Sequence, residues 1–508
     1  MCPTAVEVHT RVLILIFRRQ SAQRSSKAPP LCLRGGKMEE INAVTENLHS
    51  ITDSDMLLEV SSFAEDCLKN KNYRELRELV SNLQAADVAE MFIEIPESYH
   101  TVFFRLLPKE LAAETFIEME ADTQRMLIES FTDLELSDIL SELYIDDTVD
   151  IIEEMPAFIV KRILKSSSES DRAAINTILK YPKNSAGSLM TTEYVRFLET
   201  MDVEAALTHI RRVAIDKETI YTCYVTDRDR HLRGIITAKQ LLTEELSTML
   251  VDIMDENYIA VHTGDDREEV AHLLNKYDFM AMPVVDSEER LVGIITLDDA
   301  VDVIKEESEE DFAKMAAITP TETPYLRASV LSLWKSRIPW LLILMLSSTV
   351  SSTILTGFES VLPAVLVLFV PMIMGTGGNS GGQASVTVTR SISLSEVEFS
   401  DLFRVFWKEL RVGVMCGAVL GIVTYAKVML VDMLLLQNGD INSQVALTVA
   451  LSLTVTIIAA KVIGAVLPLL AKRIGLDPAV MASPLITTLV DALSLLVYFL
   501  VSSAILTA

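Results

Sequence analysis

The feature that most constrains this chain is a run of five long apolar segments after Arg337. They cover about 339–358, 361–389, 410–436, 444–471 and 478–507. Each reaches or exceeds the ~20 residues an α-helix needs to cross the hydrocarbon core of a bilayer. Backbone polar groups in lipid must be satisfied within the segment, so each stretch can only be a helix. Five such segments in succession, with so few charges, are rare in the core of a soluble bundle. Residues 338–508 are therefore predicted to form an all-α membrane domain of five transmembrane helices. The flanking charges alternate. Arg327, Lys335 and Arg337 precede the first span, Arg390, Arg404, Lys408 and Arg411 follow the second, and Lys472 and Arg473 follow the fourth. The loops 357–361 and 437–444 and the tail after Val501 have no Lys or Arg. The positive-inside rule then predicts soluble residues in the cytoplasm and a C-terminus outside. Trp334, Trp340 and Trp407 sit near the predicted inner interface, where amphipathic rings prefer to lie.

The chain in front of the spans is of another kind. At 508 residues the whole is too long for one core, since single cores stop growing near roughly 250–300 residues. The formal net charge of -27 falls almost wholly on the soluble part. That balance excludes nucleic acid as a partner, because phosphate would be repelled, and suits a protein that attracts cations or simply stays soluble. Residues 1–44 begin with a basic stretch, Arg11 to Lys37 against the single acid Glu7, and are expected to be a disordered extension. Cys2, Cys32, Cys67, Cys223 and Cys416 are scattered, which indicates neither a disulfide framework nor a zinc knuckle.

Two features inside the spans exceed what an anchor needs. In Gly375-Thr-Gly-Gly-Asn-Ser-Gly-Gly-Gln383, five glycines fall within eight residues. They either loosen the backbone around a water-lined path, with Asn379, Ser380 and Gln383 as polar lining, or let helices pack closely. The second feature is Asp491, 14 residues past Asp477, or ~21 Å of helix into the fifth span. A carboxylate there marks an ion path or a structural ion pair, and Lys461 of the fourth span lies at a depth to supply the pair. Lys427 and Asp432 lie nearer the outer surface. No His lies in any span, so the donors are mostly oxygens, which suit hard cations such as Mg²⁺ or Ca²⁺.

Residues 45–185 read as short amphipathic helices. The phrases that begin at Asp87, Glu110 and Glu135 resemble one another at spacings of 23 and 25, with a fourth at Thr148, which predicts stacked hairpins in a small superhelix. Residues 186–311 hold a duplication: Gly234-Ile-Ile-Thr237 recurs as Gly293-Ile-Ile-Thr296. Each copy follows an apolar strand and a charged turn and precedes a helix, a β-turn-β-α unit used twice. This resembles a pair of CBS domains, modules that often bind adenine nucleotides. The resemblance implies a nucleotide site such as one for ATP at Thr296 and Asp299 in the second copy; the first has Gln240 in place of the acid. Next comes Lys305-Glu-Glu-Ser-Glu-Glu-Asp311, whose like charges at i,i+4 repel unless a cation bridges them or water screens them.

An acidic helical domain, a CBS pair, a linking helix over 312–337 and five spans, in that order, resemble the MgtE family of magnesium channels or transporters. The most specific parts are Gly375–Gln383, Gly475-Leu-Asp-Pro-Ala479 and Pro484–Asp491. The resemblance implies a homodimer in the cell (inner) membrane, with a pore on the two-fold axis and no enzymatic activity. It makes Asp491 the pore carboxylate, with Asn379, Gln383 and Thr487 along the path, and makes Asp477 a Mg²⁺ ligand at the inner mouth. Glu307, Glu310 and Asp311 become Mg²⁺-sensing ligands, with Asp278 and Asp299 of the CBS pair and Glu114, Asp146 and Asp150 of the helical domain. Ser483 stands where an amide is common in the family. Two readings stand beside Mg²⁺ uptake: transport of Co²⁺, Mn²⁺ or Ca²⁺, and a membrane-anchored nucleotide sensor that transports nothing.

Overall fold

The computed structural model describes residues 54–321, 325, 328–358, 363–437, 439–481 and 483–506. The expected extension 1–44 lies outside the described residues. The chain falls into two compact units, one holding residues 1–267 and 279–296 and the other holding 268–278 and 297–508.

In the first unit, ten helices follow one another from Ser54–Lys69 to Glu169–Ile178 among the described residues. Pro96, Pro108 and Pro156 stand immediately before three of them, where a fixed φ helps and no N–H is missed. Packing falls largely between helices two apart in the chain: Ala85–Glu94 on Lys109–Ile117, that helix on Asp133–Leu140, and Asp133–Leu140 on Ala157–Ser166. This is the stacking expected from the phrase repeat. Phe92, Phe103, Phe104, Phe116 and Phe131 run through the core in ring-to-ring contact. The Arg162 guanidinium donates to the carbonyls of Ile128 and Phe131, at the end of helix Ala121–Ser130, where carbonyls lack helical partners.

The duplication folds as two sheets of the same topology. β1 (Tyr194–Leu198) pairs parallel with β2 (Thr219–Thr226), which pairs antiparallel with β3 (Leu232–Thr237). β4 (Val261–His262), β5 (Ala281–Val285) and β6 (Leu291–Thr296) repeat this order. The glycines of the repeated phrase have one job twice. A Cβ on Gly234 would lie 2.8 Å from Met254 Sδ and 3.0 Å from the Asp255 carbonyl; one on Gly293 would lie 2.5 Å from Met190 Sδ and 2.8 Å from the Thr191 carbonyl. In both copies a crossing segment bridges the next residue, Ile235 to Asp255 and Ile294 to Thr191.

In the second unit, the acidic run sits in one helix, Leu297–Met315, called the linker helix below. The expected linking helix over 312–337 is not one helix: residues 312–315 end the linker helix, Ala317 takes a left-handed φ of 52°, and 330–337 open the first span. Among the described residues, five helices are long and apolar enough to cross a membrane: Val330–Phe358, Ala364–Ser393, Phe399–Leu435, Ser443–Arg473 and Pro478–Ile505. The first and third extend about ten residues beyond their apolar stretches on the charged side, because a helix does not stop where the lipid does.

Glu135 offers a test of the soluble packing. Its carboxylate accepts the Thr132 N–H at 2.8 Å in a capping box and a two-pronged Arg105 guanidinium at 2.8 and 3.2 Å. Those bonds hold its pKa at about 2, below the ordinary 4.5. A depressed acid stabilises above its unfolded pKa and loses that stabilisation as pH falls through the folded one. Glu135→Ala should cost about 1 kcal/mol at neutral pH, a half-exposed ion pair adding little to the cap. The penalty should shrink as pH drops from 4.5 toward 2, checked by urea unfolding of the full chain across that range.

Candidate ion path and metal-binding carboxylates

The glycine segment of the second span is regular α-helix, Val370–Ser393, not loosened backbone. Close packing is what most of its glycines provide. A Cβ on Gly377 would strike Ser494 Oγ and lie 2.9 Å from Thr456 Cγ2; on Gly378 it would lie 2.9 Å from Thr487 Cγ2 and 3.3 Å from Asp491 Oδ1. On Gly381 it would lie 2.8 Å from Val490 Cγ2 and 3.2 Å from the Ala460 carbonyl. The fourth span answers with Gly464, whose added Cβ would strike the Gly381 carbonyl.

This packing positions Asp491. It is half-buried in the fifth span, beside Gly378 and one turn beyond Thr487, and its Oδ1 is buried without a hydrogen-bond partner among the described residues. Lys461 is buried at 7 % exposure, and its Nζ donates to Gln383 Oε1 at 3.3 Å. No ion pair joins it to Asp491 among the described residues. The two do share a depth, since their chain neighbours Ala460 and Val490 both abut Gly381. Asn379 and Gln383, one turn apart, occupy an exposed face of the second span. Lys427 and Asp432 form an ion pair at 2.8 Å toward the other end of the third span. Thr456 Oγ1, buried without a partner among the described residues, was not singled out by sequence reasoning. A hydroxyl in an apolar run leaves no charge signal.

At the inner end, Gly475-Leu-Asp-Pro-Ala479 makes the turn between the fourth and fifth spans. Gly475 adopts φ 77°, a left-handed conformation that suits glycine at a helix C-terminus. Asp477 Oδ1 accepts the Ala479 N–H at 2.8 Å, and Pro478 opens a short 3-10 turn. Asp477 Oδ2 lies 2.6 Å from Lys314 Nζ, which lies 2.6 Å from Glu310 Oε1 as well. Asp311 Oδ2 accepts Ser393 Oγ at 2.7 Å. Burial raises the Asp311 pKa; Ser393 opposes that and the Asp477 charge adds to it. For Lys314 burial disfavours the charge, but the Asp477 and Glu310 carboxylates outweigh it and hold the ammonium above the usual lysine range. The structure thus brings Glu310, Asp311 and Asp477 around a lysine that the sequence reading did not single out. Its i,i+4 spacing from Glu310 was the available signal.

The remaining sequence candidates fall on several elements. Glu307 is half-exposed on the linker helix, and Asp299 lies in that helix's first turn. Asp278 is exposed and left-handed, φ 54°, just after helix Arg267–Tyr277. Glu114 is exposed on Lys109–Ile117, and Asp146 (buried) and Asp150 (exposed) share a face of Ile145–Glu154. Thr296 ends β6. Gln240 closes a capping box with Thr237 and donates to the Ile253 carbonyl at 3.2 Å, a structural occupation of the acid's place. Asp227, Asp229 and His231 bring three possible ligand atoms within 4.8 Å of one another. Asp227 is, however, a turn device: its Oδ1 accepts the N–H groups of Asp229 and His231, as Asp286 Oδ1 accepts those of Glu288 and Arg290 in the second copy.

Five apolar helices with a desolvated carboxylate between them, joined in sequence to a CBS pair and a helical domain, define a polytopic membrane protein with appended regulatory modules. Comparison makes this specific. The divalent cation transporter profile of MgtE matches residues 370–501, the MgtE intracellular N domain 83–184, and CBS domains 186–247 and 250–306. The chain is 36% identical over 450 residues to the magnesium transporter MgtE of Thermus thermophilus, across 87% of this chain and 98% of that one. It is 31% identical over 439 residues to the magnesium transporter MgtE of Bacillus subtilis, across 86% and 95%. A solved cytosolic domain of the Mg²⁺ channel MgtE in complex with ATP matches 48% of this chain and 99% of its own, at 35% identity and a TM-score of 0.46. The chain belongs to the MgtE family.

The helix contacts predict a contrast. Gly464→Ala should cost about 1–3 kcal/mol by overpacking against Gly381. Gly375→Ala, whose Cβ meets nothing within 4 Å, should be neutral or stabilise by up to about 1 kcal/mol. Thermal unfolding of the detergent-solubilised full chain checks both.

Proposed function

We propose that this chain is a transporter of Mg²⁺ across a membrane, not an enzyme, and that cytosolic Mg²⁺ regulates it. The observation that carries this reading is the Asp491 carboxylate, packed beside Gly378 with one oxygen buried and unpartnered among the described residues. A carboxylate at membrane depth is costly unless a cation meets it. Thr487, one turn away, and Asn379 and Gln383 on the exposed face of the second span offer further oxygens, and a hydrated Mg²⁺ can be recognised through oxygens alone. Kinship with magnesium transporters over most of the chain supports the same cargo.

The other assignments form part of this proposal. Loop charges favour soluble domains in the cytoplasm and the C-terminus outside. The exposed Asn379–Gln383 face fits a path completed by a second copy in a homodimer. The domain limits 45–185, 186–311 and 338–508 follow the sequence reading. High cytosolic Mg²⁺ would neutralise Glu114, Asp146 and Asp150 on the helical domain, Asp278, Asp299 and Glu307 on the CBS side, and Glu310, Asp311 and Asp477 at the inner mouth. The closed state would then be favoured by differential binding. ATP would be read at the Gly293-x-x-Thr296-x-x-Asp299 signature, the first copy's Gln240 being engaged in its cap.

Uptake into vesicles tests the reading. Asp491→Ala should lower the Mg²⁺ rate roughly 10- to 100-fold, the equivalent of about 1.5–3 kcal/mol for a charged contact. Unchanged uptake overturns Asp491 as a path ligand. Stronger uptake of Co²⁺, Mn²⁺ or Ca²⁺ than of Mg²⁺ moves the cargo to another divalent ion, and the absence of any cation flux leaves the nucleotide sensor.

A further inference from the structure

We propose that Lys461 sets the affinity of the ion path: its ammonium, fixed at the depth of Asp491 but not paired with it, offsets part of the carboxylate's pull on a divalent cation. The proposal rests on the reading of Asp491 as a path ligand. Its observations are separate from that reading. Lys461 is 7% exposed in the fourth span. Its side chain leaves that helix opposite Gly413 of the third span, where an added Cβ would lie 3.5 Å from Lys461 Cβ. Its Nζ reaches the second span and donates to Gln383 Oε1 at 3.3 Å. A lysine has donors only, so the amide atom it meets is the oxygen. One lone pair of that oxygen is thereby taken, on a glutamine that stands on the exposed face of its span.

A charge at membrane depth is costly, and a carboxylate is the partner that offsets it. Lys427 has one, with Asp432 Oδ2 at 2.8 Å. Lys461 has no ion pair among the described residues, and the neutral oxygen of Gln383 leaves its charge uncompensated. A methionine would fill much the same space without that cost, so packing alone gives no reason for the ammonium. What the charge acts on is whatever shares its depth. Ala460 and Val490, the chain neighbours of Lys461 and Asp491, both abut Gly381. Gln383 lies one turn from Asn379 on the exposed face. A cation drawn to Asp491 therefore meets an attractive and a repulsive charge at one level, and the repulsion grows with the charge of the ion. Passage needs release as well as entry, so an ion must not be held too tightly. Asp491 serves entry, and Lys461 serves release.

Initial rates of Mg²⁺ uptake by the full chain in vesicles, measured across Mg²⁺ concentration, separate KM from the maximal rate. Lys461→Met removes the charge and the hydrogen bond. Lys461→Gln removes the charge and keeps a donor for Gln383. Both should lower KM about three- to tenfold, the scale of one unit charge acting on a divalent ion across a protein-lined path, and should lower the maximal rate as release slows. Lys461→Arg keeps the charge and should keep the wild-type KM. A merely structural lysine would move only the maximal rate, through the amount of folded protein. An unchanged or raised KM in the neutral variants overturns the proposal. So does a shifted KM in Lys461→Arg, or a shift in Lys461→Met that Lys461→Gln does not share, which would assign the effect to the hydrogen bond. Asp491→Ala in the same assay keeps the two readings apart. Unchanged uptake by that variant strikes the path reading, whereas a KM indifferent to Lys461 beside a failing Asp491→Ala strikes this one alone.

Discussion

The membrane domain depends on a backbone-to-backbone approach, Gly464 of the fourth span against Gly381 of the second. Lipid tails give apolar helices no hydrophobic reason to associate, so close van der Waals contact must supply the cohesion, and that requires residues without side chains at the crossing. The third span uses the same device: Gly413, Gly417 and Gly421, one turn apart, lie against Ile458 and Thr454 of the fourth. Once these backbones meet, the depth of every polar group is set. Ala460 and Val490 both abut Gly381, so Lys461 and Asp491 leave their helices at one level.

Three lysines at or near the membrane are handled by different partners. Lys427 has Asp432 within its own span. Lys461 has the neutral oxygen of Gln383. Lys314, just inside, has two carboxylates from two elements. Among the described residues, Asp432 Oδ2 lacks a hydrogen bond but has the Lys427 ammonium at 2.8 Å, whereas Asp491 presents a buried oxygen with neither a hydrogen bond nor an ion pair. A buried acceptor left so is costly in any protein and more so in lipid, which is why it carries the functional reading.

Much of the architecture was legible before the fold. The repeated Gly-Ile-Ile-Thr phrase marked both CBS sheets, because β3 and β6 are apolar and bounded by turns. β1 and β4 were missed: β4 is two residues long, and a strand that short has no period to read. The glycine segment signalled importance but not mechanism. Low helix propensity suggested looseness, and packing against the fourth and fifth spans overrode it. Glu310, Asp311 and Asp477 were legible as acids, whereas the lysine among them was not, since its second carboxylate is remote in sequence.

By itself the sequence determined the number of spans, the order of the domains and the oxygen character of the polar groups within the spans. Hydropathy, period and residue type are local properties that one dimension records. Tertiary structure alone decided that the glycines serve contact, that Lys461 turns to Gln383 and not to Asp491, and that Lys314 closes on Asp477. Those outcomes depend on how helices rotate and how nearly they approach, and both are set by packing between residues tens to more than a hundred positions apart.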